Sequence, residues 1–224
     1  MIPKDLSAAM ISALFVMFVF SAAESARRRG VSRATTRKIV HIGIGSWVIP
    51  TMLLFEHRIW AVLPAASFVL FNAYSYRTGL VKSMEGEERN IGTILYPFSV
   101  ALLLFLTFDS PLRAVGAAGV LVMTYGDAAA SLIGRRFGKH VYRVAGHPRS
   151  IEGSLAMLLS SWVAILIAFT MLGPAPTSGL LIAAAIAALV ATSLEAVSLW
   201  GVDNLLVPMS AALTLYLCRG GLWP

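Results

Sequence analysis

The stretch of sequence that decides the fold is residues 112–139, which read LRAVGAAGVLVMTYGDAAASLIGRRFGK. Its first part is an apolar run that approaches the ~20 residues needed to cross a ~30 Å hydrocarbon core. A single carboxylate, Asp127, lies near the end of this run, and a glycine-punctuated group of cations follows it. A lone carboxylate in hydrocarbon costs roughly 2.5–3.5 kcal/mol on insertion scales, so Asp127 needs a cation, a metal ion or a water-filled cavity. The stretch therefore predicts a membrane helix with a functional group at its polar end.

The whole chain has the composition of an integral membrane protein. Its 224 residues are 58% hydrophobic and only 13% charged, and the mean hydropathy is +0.77. Apolar spans are expected near residues 6–23, 38–55, 58–75, 92–108, 112–133, 152–172, 179–198 and 204–218. Helices are predicted for these spans, because an open sheet cannot satisfy its backbone hydrogen bonds in lipid. Since no repeat or linker divides the chain, residues 1–224 are predicted to form one all-α, polytopic membrane domain with seven or eight transmembrane helices.

The cations predict the orientation in the bilayer. Alternate connections between spans hold six, three and five Lys or Arg residues, together fourteen of the 18 in the chain. These are Arg27, Arg28, Arg29, Arg33, Arg37 and Lys38, then Arg77, Lys82 and Arg89, then Arg135, Arg136, Lys139, Arg143 and Arg149. Positively charged connections stay in the cytoplasm. The net charge of +7 is therefore explained by membrane orientation, and no nucleic-acid partner is expected.

The length of the connections predicts a functional site at the cytoplasmic face. The outer connections, near residues 55–58, 109–112 and 173–178, are short, whereas the basic inner ones are long and polar. Function is usually carried by elaborate loops that a rigid scaffold positions. A transporter would instead show broken or polar positions at mid-membrane in paired halves. A transporter or a non-enzymatic scaffold is therefore the less favoured class.

The residues after Asp127 have the chemistry of a phosphate site. Asp127, Ser131 and Arg135 are spaced i, i+4 and i+8, so they align on one helical stripe. Arg135, Arg136 and Lys139 follow with two glycines, and guanidinium forks and glycine-bearing turns both bind phosphate oxygens. The alternative for Asp127 is a structural ion pair. Neither a Walker A loop nor a protein-kinase glycine loop is present, so phosphate chemistry would belong to another class.

Two further groups of polar residues enter the membrane on the same side. Arg37, Lys38 and His41 begin the second span and are candidate phosphate ligands, with headgroup anchoring as the alternative. Arg149 and Ser150 begin the sixth span. Ser150 is a predicted N-cap, and the helix start around Gly153 is a candidate phosphate site, since helix N-termini bind anions.

Carboxylates that end or begin two later spans form a candidate metal site. Glu195 ends the seventh apolar run, and Asp203 and Asn204 open the eighth. Both positions are expected level with Asp127. Three converging carboxylates suit Mg²⁺, which takes one or two carboxylates together with phosphate oxygens and water. The alternatives are helix capping by Asp203 and Asn204, and an interfacial charge at Glu195.

An ordered set of these motifs resembles the CTP-dependent lipid-alcohol kinases, which include phytol kinase, dolichol and polyprenol kinase and the CTP-dependent diacylglycerol kinase. The matching pieces lie between about residues 35 and 215 and are Arg37-Lys-Ile-Val-His41, Gly92-Thr-Ile-Leu-Tyr96, Gly126-Asp127 to Lys139, Arg149-Ser-Ile-Glu-Gly-Ser154, and Glu195 with Asp203-Asn-Leu-Leu-Val-Pro208. The resemblance implies a helical membrane enzyme that transfers the CTP γ-phosphoryl group to a lipid hydroxyl at the cytoplasmic face. The expected acceptor is an isoprenoid alcohol such as phytol, dolichol or polyprenol, with diacylglycerol as the alternative, and the expected metal is Mg²⁺.

The resemblance also implies roles for the candidate residues. Catalysis is expected of Asp127, as the acceptor of the alcohol proton, and of Arg149. Magnesium is expected on Asp127, Glu195 and Asp203. The nucleotide-binding residues are expected to be Arg37, Lys38, His41, Ser131, Arg135, Arg136, Lys139, Ser150, Gly153 and Asn204.

The chain departs from the family pattern at two positions and lacks the motifs of a related enzyme class. The Lys-Ser pair that is common in the family is Arg149-Ser150 here. Phytol-kinase-like members also carry an Arg three residues after an Asn in the third span, whereas here the residue three positions after Asn72 is Ser75. The related phosphatidate cytidylyltransferases carry Pro-Gly-His-Gly-Gly and Asp-Arg-x-Asp segments, which this chain lacks. CDP as product would indicate the kinase, and pyrophosphate the cytidylyltransferase.

Overall fold

A computed structural model describes residues 3–78 and 91–223. The described helices are α1 (Lys4–Arg28), α2 (Arg33–Ser46), α3 (Val48–Leu54), α4 (Arg58–Thr78), α5 (Gly92–Thr107), α6 (Arg113–Leu121), a π-helical turn (Val122–Gly126), α7 (Asp127–Phe137), α8 (Ile151–Leu172), α9 (Ser178–Val197) and α10 (Asp203–Leu217). Two short strands, β1 (Val141–Val144) and β2 (His147–Ser150), lie between α7 and α8. Lys82 and Arg89 of the second basic connection lie outside the described residues.

The predicted all-α polytopic class is confirmed. Each predicted span coincides with helix, although α2 and α3 share the second span and α6, the π turn and α7 share the fifth. Within the described residues, five segments are long and apolar enough to cross a membrane: Lys4–Arg28, Arg58–Thr78, Arg113–Phe137, Ile151–Leu172 and Ser178–Val197. The apolar α5 is shorter, and α10 has only 15 residues.

The helix that leads to Asp127 is the centre of the bundle. Every residue of α6 from Ala114 to Leu121 is buried, and α6 packs against α5, α8 and α10. Close packing is possible because two positions carry glycine. A Cβ atom at Gly119 would lie 2.5 Å from the carbonyl oxygen of Pro208 in α10, and one at Gly116 would lie 2.0 Å from the Thr107 hydroxyl in α5. The central position fixes Asp127 relative to most of the other helices.

A β-hairpin, not predicted from the sequence, connects α7 to α8. β1 and β2 pair antiparallel, with Val141 opposite Ser150 and Val144 opposite His147. Ala145 and Gly146 form the turn with φ of 47° and 87°, the left-handed conformation that two-residue hairpin turns require. The hairpin therefore places Arg149 in a defined position beside the start of α8.

The bundle has two polar ends, which agree with the predicted alternation of connections. One end, called here the site end, joins the start of α2, the start of α7, β2 and the end of α9 through the ion pairs of Lys38 with Asp127 and Arg149 with Glu195. The opposite end contains Lys4 paired with Glu56 at 2.6 Å and Arg58 near Asp109 at 3.3 Å. Between them, large apolar side chains are exposed as a lipid-facing surface would require.

Candidate active site

Asp127 begins α7 directly after the π-helical turn. Single π turns inside α-helices frequently occur at functional sites. The turn packs closely on α8, since a Cβ atom at Gly126 would lie 2.6 Å from the Ser161 hydroxyl. The same close packing continues one turn further along α7, where a Cβ at Gly153 of α8 would lie 2.9 Å from the carbonyl oxygen of Ala130. The start of α7, with Asp127, is thereby fixed against α8.

The cation that compensates Asp127 comes from α2. Lys38 Nζ donates a hydrogen bond to Asp127 Oδ2, and the two side chains are 19% and 17% exposed. His41 Nε2 lies 3.6 Å from the same oxygen. The ion pair that was considered as the alternative for Asp127 is therefore present, and it brings the Arg37–His41 segment to the site. Arg135 does not pair with Asp127, although it follows it on the same helix.

His41 is fixed by contacts on two sides. Its Nε2 lies 3.2 Å from the carbonyl oxygen of Met123 in the π turn. Its ring packs against the Tyr96 ring with centroids 4.3 Å apart. The Tyr96 hydroxyl in turn lies 2.8 Å from the Thr124 hydroxyl. His41 therefore joins α2 to the backbone that precedes Asp127.

The predicted stripe of Asp127, Ser131 and Arg135 is present on α7. Arg135 donates to the Ser131 hydroxyl and, through Nε, to the Ser131 carbonyl oxygen at 3.1 Å. All three side chains line the same two cavities. The stripe is thus an open, polar surface of α7.

A second cation–carboxylate pair lies beside this stripe. Arg149 Nη1 lies 2.6 Å from Glu195 Oε1, and Arg149 Nη2 donates to the carbonyl oxygen of Ser198 at 3.2 Å. Glu195 is only 2% exposed. Sequence reasoning placed both residues at the site but assigned them different partners. In the structure they compensate each other.

The three predicted metal ligands are near one another and differ in their engagement. Asp127 lines one cavity together with Asp203 and a second cavity together with Glu195. Asp203 Oδ1 accepts from the backbone and side-chain nitrogens of Asn204, each at 3.1 Å, but the cap of α10 is Val202 and no side chain makes a cap bond there, so the capping alternative for this pair is wrong. Within residues 3–78 and 91–223, no group of three or more His, Cys, Asp or Glu side chains has the arrangement of a metal site.

Two cavities meet at Asp127, Ser131 and Arg135, which line both. The smaller, of about 350 Å³, is called here the polar cavity; among the predicted residues it is also lined by Arg149, Ser150, Gly153 and Glu195. The larger, of about 1370 Å³, is called the long cavity; among the predicted residues it is also lined by Arg37, Lys38, His41, Asp203 and Asn204. Two of the predicted phosphate ligands, Arg136 and Lys139, are exposed and line neither cavity. Arg136 instead lies over the Phe137 ring, 5.4 Å from its centroid.

The predicted N-cap at Ser150 is confirmed. Its hydroxyl accepts from the Gly153 N–H at 3.1 Å, and the Ile151 N–H donates to the His140 carbonyl oxygen at 3.0 Å. Glu152 accepts from His140 Nδ1 at 2.7 Å, which anchors the hairpin to α8. Two of the N–H groups at the start of α8 are thus already bonded, and they are the groups that a phosphate at this helix end would use.

Several polar residues around the site were given no site role from the sequence, although Tyr96 and Asn72 belong to the family pattern. Tyr96 and Thr124 bond to each other, and Ser46 bonds to Tyr125 at 2.8 Å. Asn72 donates to the Thr93 carbonyl oxygen at 2.7 Å and lines the long cavity. The available signal was their polarity inside apolar helices, because polar groups at membrane depth face the bundle interior.

Comparison with known proteins identifies relatives over most of the chain. A phytol kinase of Synechocystis sp. is 37% identical over 209 residues, covering 91% of this chain and 88% of the relative. Probable chloroplastic phytol kinases of Triticum aestivum and Zea mays are 30% and 29% identical and cover 86% and 87% of this chain and 70% of each relative. No family model and no solved structure matches the chain. At this identity and coverage, the chain belongs to the phytol kinase family of lipid-alcohol kinases.

Proposed function

We propose that this membrane protein transfers the terminal phosphoryl group of CTP to the hydroxyl of an isoprenoid alcohol, with phytol as the acceptor. The observation that carries the proposal is the position of Asp127, where a polar cavity that contains Arg135 and Arg149 meets a long, mostly apolar cavity. Phosphoryl transfer between a soluble nucleotide and a lipid alcohol requires this kind of junction. The names of the relatives, all phytol kinases, support phytol as the acceptor.

The polar cavity offers two guanidinium groups to a triphosphate. Arg135 and Arg149 line it, and a guanidinium binds phosphate oxygens through two parallel hydrogen bonds. Phosphoryl transfer depends on positioning and on charge neutralisation more than on covalent chemistry. Arg149 is half-buried and bonded to α9, so it is the better positioned of the two. Arg136 and Lys139 would need to move to reach phosphate oxygens in the polar cavity.

Asp127 is the proposed acceptor of the alcohol proton. The carboxylate lies at the boundary between the cavities, where the acceptor hydroxyl and the terminal phosphate must meet. Lys38 compensates its charge, and Lys38 also lines the long cavity. When the triphosphate arrives, we expect Lys38 to share its hydrogen bonds between Asp127 and the terminal phosphate, which releases a carboxylate oxygen for the hydroxyl.

The carboxylates fit the donor chemistry of Mg²⁺. Mg²⁺ takes one or two carboxylates and keeps water and phosphate oxygens as its other ligands. Asp127 and Asp203 line the same cavity and would supply these carboxylates, whereas Glu195 already pairs with Arg149. When bound, the ion would neutralise charge on the triphosphate. Asp127 and Asp203 are therefore the first candidates for Mg²⁺ ligands, and Glu195 is the carboxylate that holds Arg149.

The choice of CTP and the location of the site rest on different grounds. CTP rests on the resemblance of the ordered motifs to CTP-dependent lipid-alcohol kinases. The cytoplasmic location rests on the clustering of cations in the connections at the site end. The lipid-alcohol acceptor is supported by family membership and by the long cavity.

A transfer assay with purified protein in lipid nanodiscs tests the proposal. γ-Labelled CTP, ATP, GTP and UTP are each offered with phytol, dolichol or diacylglycerol, and labelled lipid phosphate and the nucleotide product are measured. We expect phytyl phosphate and CDP from CTP and phytol, and loss of both in Asp127→Asn. Asp109→Asn, at the opposite end of the bundle, is the matched control and should retain activity. Release of pyrophosphate, or transfer to diacylglycerol alone, would contradict the proposal.

A further inference from the structure

The long cavity extends far beyond what a nucleotide requires. It lies between the α1–α2–α3 unit on one side and the α4–α5 pair on the other. Along α1, the lining residues run from Arg27 at the site end to Ala9 near the opposite end. At 1.5 Å per residue this is about 27 Å, which is close to the thickness of the hydrocarbon core. The cavity therefore spans most of the membrane.

The wall of the long cavity changes from charged to apolar along its length. At the site end it is lined by charged side chains of both signs, namely Arg27, Arg33, Arg37, Lys38 and Arg135 together with Glu24, Asp127 and Asp203. Below them the lining is aromatic and aliphatic, as at Phe20, Phe68 and Val100. A molecule with a polar head and a long hydrocarbon chain matches this distribution, with its head at Asp127.

The polar groups in the apolar part are already bonded to the protein. Trp47 Nε1 donates to the Ser12 hydroxyl at 2.9 Å, and its ring stacks on Phe15 with centroids 3.9 Å apart. The Thr51 hydroxyl donates to the Trp47 carbonyl oxygen at 2.8 Å. These groups therefore need no hydrogen bond from a molecule in the cavity. A hydrocarbon chain is compatible with such a wall.

The far end of the long cavity is formed mainly by small side chains. Ala9, Thr51, Ala61 and Leu104 line it. Measured along α2 and α3, Thr51 lies about 20 Å below Lys38, since the rise is 1.5 Å per residue. An extended phytyl chain has a comparable length. A much longer polyprenol chain would have to leave the cavity for the bilayer.

We propose that the long cavity holds the isoprenoid chain of the acceptor and that its far end, lined by Ala9, Thr51, Ala61 and Leu104, sets the preferred chain length. This inference rests on the proposed function, which supplies the hydroxyl that must lie at Asp127. The continuity of the cavity with the polar cavity favours the acceptor over a resident bilayer phospholipid, because Asp127 is part of both walls.

The first test adds bulk at the far end and measures the chain-length preference. Ala9→Phe is compared with Met10→Phe, since Met10 is the next residue on α1, is 54% exposed and does not line the cavity. Phosphorylation of farnesol, geranylgeraniol, phytol and a long polyprenol is measured with the same nucleotide. We expect Ala9→Phe to lower kcat/KM for phytol by about tenfold or more, the effect of a misfitted apolar group. The shorter farnesol should be unaffected, and Met10→Phe should match the unmodified protein.

An equal loss for farnesol and phytol in correctly folded Ala9→Phe would overturn the inference, because the effect of the far end would then not depend on chain length. An unchanged profile would also overturn it and would favour a bilayer lipid as the occupant.

The second test does not depend on turnover or on any variant. An isoprenoid alcohol with a photoreactive group at the tail of its chain is crosslinked to the unmodified protein, with phytol as competitor.

We expect crosslinks near Thr51, Ala61 or Leu104 that phytol suppresses. Crosslinks confined to lipid-facing residues such as Leu14, which is 61% exposed, would overturn the inference. If the tail crosslinks at the far end while no nucleotide phosphorylates the alcohol, the chain site stands and the proposed reaction fails. The two proposals are therefore separable.

Discussion

At the residue scale, the partner of Asp127 shows what sequence can and cannot supply. The need for a compensating cation follows from the cost of a carboxylate in an apolar helix. The sequence neighbours Arg135, Arg136 and Lys139 were the natural candidates. Arg135 lies eight residues further along the helix, about 12 Å in rise, and its guanidinium bonds to Ser131 instead. The partner is Lys38, which is distant in sequence and was predicted only as a phosphate ligand.

The Lys38–Asp127 pair gives the first prediction. Lys38→Met should destabilise the protein by up to about 3–5 kcal/mol, because it leaves a largely buried carboxylate unpaired. The double variant Lys38→Met/Asp127→Asn should recover most of this stability without recovering activity. Thermal unfolding in nanodiscs and the CTP–phytol assay measure the two effects separately.

Lys4→Met is the matched control, since Lys4 pairs with Glu56 at 2.6 Å and is 77% exposed. An exposed pair of this kind is worth about 0–1 kcal/mol. A double variant as unstable as Lys38→Met would show that the destabilisation has another origin than the unpaired carboxylate.

Arg149 and Arg136 give the second prediction, because the structure separates two cations that sequence reasoning treated alike. Arg149→Ala should lower kcat/KM for CTP by about 1.5–3 kcal/mol of transition-state stabilisation, the range for a hydrogen bond to a charged group. Arg136→Ala should leave it nearly unchanged, since Arg136 is exposed and lines neither cavity. Steady-state kinetics at varied CTP concentration measure both.

Arg149 also compensates the buried Glu195, so stability is measured in parallel. Arg149→Ala/Glu195→Gln removes the unpaired carboxylate and should regain stability while activity stays low. Recovered activity in this double variant would assign Arg149 a structural role alone.

At the element scale, the π-helical turn sets the direction of Asp127. The turn widens the helix between α6 and α7, and His41 bonds to its Met123 carbonyl oxygen. The break between α2 and α3 at Trp47 and the short hairpin are similar local departures from regular structure. None could be predicted from hydropathy, because the apolar pattern of a span continues through a π turn and four-residue strands are too short for a clear alternation.

His41 gives the third prediction, as a residue that positions the π turn. His41→Ala should lower kcat while KM for CTP changes little, because the carboxylate is displaced and the phosphate contacts remain. His41→Gln should restore part of the activity, since its amide nitrogen can donate to the Met123 carbonyl oxygen. A large rise in KM for CTP with unchanged kcat would support the nucleotide-binding role expected from the sequence.

At the scale of the whole molecule, hydropathy predicted the helical spans. The position of each polar residue at one end of its span predicted which polar groups lie together. Asp127, Arg149, Glu195 and Asp203 were all expected at one end, and they lie there. Their pairings could not be predicted, because they depend on how α2, β2 and α9 pack around α7. The long cavity was also hidden from the sequence, since a residue that lines a cavity and one that faces lipid are equally apolar.

The opposite end of the bundle gives the fourth prediction, a pH dependence of stability. His57 lies in the connection between α3 and α4, and its Nδ1 is 2.5 Å from Asp5 Oδ2. The Asp5 carboxylate raises the pKa of His57 above its usual value. Because the pKa of His57 is higher in the folded than in the unfolded protein, protonated His57 stabilises the fold. This contribution is fully present below the unfolded-state pKa of about 6.5 and is lost as the pH rises through the folded-state pKa.

The melting temperature should therefore fall as pH rises through this window, and the fall should be smaller in His57→Gln. Melting curves of both proteins from mildly acidic to mildly alkaline pH give the comparison. Identical pH profiles would exclude His57 as the source.

The last prediction concerns the orientation of the whole bundle, which decides where the nucleotide must arrive. The site end carries the long basic connections, so positive charge should hold it in the cytoplasm. A single cysteine is placed in a Cys218→Ser background, either at Ala145 in the exposed hairpin turn or at Ala175 in the exposed connection between α8 and α9. Ala145 suits the site end better than Gly138, where a Cβ atom would lie 2.3 Å from the Gly134 carbonyl oxygen.

An impermeant thiol reagent added to intact cells should label Ala175→Cys and should reach Ala145→Cys only after the membrane is opened. Labelling of Ala145→Cys in intact cells would place the site outside the cytoplasm, where CTP is not supplied, and the proposed donor would have to be abandoned.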